Sequence, residues 1–124
     1  MESNSKVDFI TALKARTKKF VIDSIKFYQG LPKTEEARII GRQFMRSSSS
    51  VGANYRAACR SRSKAEFHSK LSIVVEEADE SAFWLEILSE SEIVKNINVS
   101  VLLKEANEIL SIVAKARKTV SENK

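Results

Sequence analysis

Five arginines, Arg38, Arg42, Arg46, Arg56 and Arg60, fall at intervals of four, four, ten and four residues. At about 100° per residue, positions eighteen apart on a helix share an azimuth. Arg38 then lies in line with Arg56 and Arg42 with Arg60, Arg46 falls between the pairs, and all five sit within an arc of about 80°, roughly opposite Ile40, Phe44 and Val51. A guanidinium is a planar fork of donors that stays charged, so such a row suits the phosphates of a nucleic acid. Two other readings stay open for the same stripe: a solvated outer helix face, and pairing with acidic residues of a neighbouring subunit.

Other side chains offer little for catalysis. The single histidine, His68, stands two residues after Glu66, whereas a di-iron bundle needs Glu-x-x-His pairs on two helices. One histidine would have to serve any triad, and the sequence has no glycine-rich phosphate loop and no zinc-protease helix. Cys59 is the one cysteine, so it forms no internal disulfide and reads as a small apolar residue. We expect no enzyme, no cofactor and no metal site. His68 reads as an ordinary surface residue and Glu76 to Glu80 as an ordinary charged face.

Charge is distributed unevenly around the arginine row. The chain carries a net +5, yet residues 31 to 62 hold seven Lys/Arg against two acids, while 63 to 92 hold two against eight. Asymmetry of this kind marks a nucleic-acid surface, or two faces that pair within or between subunits. On the acidic stretch Asp79, Glu86 and Glu90 share one helix face. Ile73, Trp84 and Ile87 fall outside the stripe that should face a core, which makes them candidates for an oligomer contact or for packing within the chain.

The elements that must position these groups are helices. With 124 residues, three glycines and one proline, the chain has the length of one domain and the composition of long helices. Ile10, Leu13, Thr17, Phe20, Ser24 and Phe27 recur at helical spacing, and Gly30, suited to the left-handed position after a helix, closes that segment with Leu31-Pro32. A second helix starts at the N-cap Thr34, with Glu35 and Glu36 favouring the positive end of its dipole. It runs through Ile40, Phe44, Ser47, Val51 and Ala58. The stretch Ser47-Ser48-Ser49-Ser50-Val51-Gly52 resembles a linker, but Val51 and Tyr55 keep the phase of Ile40 and Phe44, so we read it as helix. Gly52 inside a helix costs on the order of 1 kcal/mol relative to alanine, which implies that another backbone passes close by.

Ser63-Lys64-Ala65-Glu66 forms a capping box ahead of Phe67, Leu71, Val74, Ala78, Ala82 and Leu85. Leu102, Ala106, Ile109, Val113, Ala116 and Val120 carry a fourth helix. The expectation is a single all-α domain over 1–124, an antiparallel up-and-down four-helix bundle with helices at about 6–29, 34–61, 64–91 and 99–121. No apolar run reaches the roughly 20 residues that cross a bilayer, and the N-terminus MESNSKVDF shows no signal peptide, so the protein is expected to be cytoplasmic.

The central stretch resembles the 23S ribosomal RNA intervening-sequence protein family, also called the four-helix-bundle protein family. The resemblance is carried by Leu31-Pro32, Arg46-Ser47, the run from Ser50 through Val51-Gly52-Ala53-Asn54-Tyr55 to Arg56, Ser63-Lys64 with Phe67 and Lys70, Glu77-Ala78, Glu80-Ser81 and Trp84-Leu85. It departs at Ala57, where the family favours glutamate. The resemblance implies a bacterial protein that assembles as a ring-like homo-oligomer, a pentamer, with no known catalytic residues. A related branch, the accessory variability determinant of diversity-generating retroelements, implies nucleic acid, a reverse transcriptase or a ribosome-associated partner. Residues and resemblance together lead to a non-catalytic homo-oligomeric bundle that binds RNA or other nucleic acid through Arg38, Arg42, Arg46, Arg56 and Arg60. The alternative is a protein–protein adaptor whose basic and acidic faces pair between subunits.

Overall fold

A computed structural model describes the backbone of residues 2–122 and the side chains of residues 5–122. Four helices make up the fold: α1 (Glu2–Gln29), α2 (Glu35–Ala58), α3 (Lys64–Glu90) and α4 (Asn98–Glu122). Each packs against the next along the chain, and α4 closes back on α1 to complete an antiparallel bundle. The core is built from the expected stripes: Leu13, Thr17, Phe20 and Ser24 of α1, Phe44, Val51 and Tyr55 of α2, Leu71, Val74, Ala78 and Leu85 of α3, and Leu102, Ala106, Ile109 and Val113 of α4. The two buried polar residues of α1 cause no deficit. Thr17 Oγ1 donates to the Lys14 carbonyl (3.1 Å) and Ser24 Oγ to that of Phe20 (2.7 Å).

The helix ends follow local chemistry. Thr34 Oγ1 accepts from the Ala37 N–H (3.3 Å), and Ser63 Oγ accepts from the Glu66 N–H (3.0 Å). Two expectations are corrected. Gly30 does not take the left-handed conformation; α1 ends instead in tight bonds from Gly30 N–H to the Phe27 carbonyl and from Leu31 N–H to the Tyr28 carbonyl, with Pro32 next. The left-handed residue is Glu92 (φ 63°), where the chain reverses between α3 and α4 and the Val94 N–H reaches the Leu88 carbonyl. Second, α2 stops at Ala58 rather than near 61. After Cys59 the amides of Arg60 and Ser61 bond three residues back, to Ala57 and Ala58, which winds the chain too tightly to continue an α-helix.

Candidate nucleic-acid interface

Whether the arginines line up depends on the four serines. α2 runs unbroken through them. Ser47, Ser48 and Ser49 each turn their hydroxyls back to the carbonyl three residues earlier, at Phe44 (3.0 Å), Met45 (3.3 Å) and Arg46 (3.1 Å). Hydroxyls that compete with helix elsewhere are therefore satisfied inside it. Their small size also brings α3 close: Ser81 Oγ lies 3.0 Å from Ser47 Oγ, with both side chains buried. Gly52 has the close neighbour that its cost implied. A Cβ there would sit 2.6 Å from Val21 Cγ2 and 3.3 Å from the Thr17 carbonyl oxygen of α1.

Continuous winding puts Arg38, Arg42 and Arg56 on one outer face of α2, and all three are exposed. Among the described residues none of them forms an ion pair. A shallow recess of about 290 Å³ lies between Glu35, Arg38, Ile39 and Arg42. Arg60 is also exposed and unpaired, but it belongs to the turn after α2, so the eighteen-residue repeat that would set it above Arg42 does not apply.

Arg46 has another role. Its guanidinium forks onto Glu77 (3.3 Å) and Glu80 of α3, and Glu80 in turn accepts from the Trp84 indole N–H (3.0 Å). The hydrogen bond that it donates to Glu80 raises the Arg46 pKa above its ordinary value. The indole donor, with Arg46 beside it, holds the Glu80 carboxyl below the usual carboxylate range. Part of the basic–acidic asymmetry is thus spent within the chain, tying α2 to α3. Trp84, read from sequence as a subunit anchor or an internal packer, is half-buried against the core and meets Phe83 edge-on (centroids 4.9 Å apart). Ile73 and Ile87 are half-buried as well.

Beyond this network Asp79, Glu86 and Glu90 are exposed on α3 and form no ion pair among the described residues, with Phe83, 49% exposed, among them. Sequence reasoning passed over Phe83. A large aromatic one position beyond a core alanine, flanked by acids, was the available signal. Cys59 follows the end of α2, half-buried, and burial pushes its thiol pKa up. His68 is half-buried and does not gather with Glu66 into a ligand set; Glu66 faces Arg62 (4.0 Å).

The family model of the 23S rRNA-intervening sequence protein matches residues 11–115. The chain belongs to that family. The arginine face, the serine run and the Arg46–Glu80–Trp84 link all lie within the matched stretch. A crystal structure of a protein of unknown function from the S23 ribosomal protein family of Bacteroides thetaiotaomicron VPI-5482 has the same fold. Its TM-score is 0.81 at 28% identity, covering 88% of this chain and 97% of that one. No curated protein matches. No helix among the described residues is long and apolar enough to cross a membrane.

Proposed function

We propose that this protein is a non-catalytic, homo-oligomeric helical bundle that binds RNA or another nucleic acid through backbone phosphates, using the outer face of α2. The observation that carries the reading is the alignment of Arg38, Arg42 and Arg56 along one continuous helix, exposed and without ion pairs among the described residues. Eighteen residues of α-helix span about 27 Å, a length that faces roughly eight phosphates of one strand at 3.4 Å each. Arg60 extends the row from the turn. Arg46 acts differently: through Glu77 and Glu80 it fixes the face without offering its own charge. The name of the family, which refers to ribosomal RNA, supports the same class of partner.

The test is a titration of labelled RNA at several salt concentrations. Affinity falls linearly on a log–log plot. Arg42→Ala weakens binding to all sequences alike and flattens the slope by about 0.7 to 0.9. Arg46→Ala leaves that slope unchanged while loosening the fold. Binding that ignores salt, or that Arg46→Ala flattens as much as Arg42→Ala does, rejects the reading.

A second reading rests on the exposed Phe83 among Asp79, Glu86 and Glu90. That face complements Arg38, Ile39 (55% exposed) and Arg42 in both charge and apolar centre, so the two can pair between copies in a ring-like assembly, pentameric if the family resemblance extends so far. A reverse transcriptase or ribosome-associated protein is then the further partner. Arg42→Glu breaks such an assembly, and an unchanged mass by light scattering counts against it.

A further inference from the structure

Ile10, Phe67, Ala116 and Val120 have core spacing yet stay half-buried, and they lie together at one end of the bundle. There the first turns of α1 and α3 meet the last turns of α2 and α4, around a cup of about 900 Å³. The small side chains of Ala58, Cys59 and Ala116 leave the space, and Phe9, Leu71 and Ile112 complete apolar walls. The volume lies in the range of about 300 to 1,000 Å³ typical of small-ligand sites.

The charged residues that line the cup are all cationic, beside the hydroxyl groups of Ser5, Tyr55, Ser61, Ser63 and Thr119. Its cations Lys6 and Lys115 come from α1 and α4, and no Asp or Glu among the described residues lines it. The Ser61 hydroxyl, also in the wall, is buried with no hydrogen-bond partner among the described residues. An occupant therefore needs an apolar body that fills a cup, with a single anionic head. An amphipathic helix needs a groove running along the bundle, whereas this opening lies across its end.

We propose that the cup binds an amphipathic anion of the fatty-acid class, its acyl chain on the apolar walls and its carboxylate at Lys6 and Lys115. The reading is independent of the arginine face of α2, which lies on the outer side of the bundle.

Calorimetry with decanoate, dodecanoate and tetradecanoate, each below its micelle concentration, tests it on the full chain. Affinity rises about fourfold per methylene until the cup is full. Dodecyltrimethylammonium, with the same chain and the opposite charge, binds at least tenfold more weakly. The double variant Lys6→Glu/Lys115→Glu loses roughly tenfold for dodecanoate, and Ala116→Trp, which fills the cup, abolishes binding while circular dichroism shows the helices intact. Should Ala116→Trp fail to fold, methyl NMR of the natural chain replaces it: shifts on dodecanoate addition confined to Leu71, Ile112 and Val120 support the site, and shifts elsewhere overturn it. Equal affinity for the two head groups, no dependence on chain length, or binding to phosphatidylglycerol vesicles without binding to monomeric dodecanoate would each overturn it.

Discussion

The seam between α2 and α3 and the seam between α1 and α4 use similar residue types to opposite ends. On the first, small side chains draw the backbones together: Ser47 meets Ser81, and Phe44, Val51, Val74, Ala78 and Leu85 around them have no exposed surface. On the second, α1 and α4 touch sparsely and share a polar clamp, in which Arg16 forks onto Glu105 (2.7 Å) and also reaches Glu108 (2.6 Å). Below that clamp Ala58, Cys59 and Ala116 are just as small, yet the helices do not close over them and a cup remains. A small residue brings helices together only where its neighbours can bond or pack across the gap; elsewhere it leaves a hole.

Truncation should separate the seams most strongly. Leu85 is fully buried, so Leu85→Ala should cost about 2 to 5 kcal/mol, the loss of apolar burial plus the cavity it leaves. Val120 is only half-buried at the cup, and Val120→Ala should cost less than about 1 kcal/mol. Urea denaturation of the two variants measures both. Equal losses would mean that the α1–α4 end is closed in solution.

Enlarging a small residue should sharpen the contrast further, because the two effects have opposite signs. Ser81→Leu forces extra volume into a filled seam and should destabilise by about 1 to 3 kcal/mol. Ala116→Leu adds volume where space exists and should stabilise by about 0.5 to 2 kcal/mol. Thermal melts followed by circular dichroism give the two signs directly, and a loss in both would reject the cup as a true cavity.

The contrast also explains what was legible beforehand. Helical spacing of apolar residues and the caps at Thr34 and Ser63 are local signals, and they sufficed for the four helices and nearly all of the core. The alignment of Arg38, Arg42 and Arg56 followed from helix geometry alone, once Val51 and Tyr55 showed that the serines kept phase. The ion pairs of Arg46 were not legible for the opposite reason: they reach Glu77 and Glu80, 31 and 34 residues away, and periodicity within one helix carries no information about the neighbour it faces. Arg60 leaves the helical register through a change from four-residue to three-residue bonding that no residue there announces. The cup was hidden because Ile10, Phe67, Ala116 and Val120 have core spacing, and spacing does not say how closely helix ends converge.

The smallest effect comes from acid. The Glu80 carboxyl is held low chiefly by the Trp84 indole donor and then by Arg46, so its folded pKa lies below the unfolded value of about 4.3. The stability from this tie is therefore fully present above that unfolded value and disappears as pH falls through the lower folded one. Glu80 is one-third exposed, solvent screens it, and the loss should stay below about 1 kcal/mol. Trp84 is the only tryptophan in the chain, so its emission reports the α2–α3 tie alone. The emission should hold steady from pH 7 to 5 and shift below about pH 4, before the far-ultraviolet dichroism changes. Glu80→Gln, which cannot titrate and leaves Arg46 only Glu77, should remove that early shift. If the shift survives in the variant, another acid controls the indole and the proposed link between the arginine face and α3 does not hold.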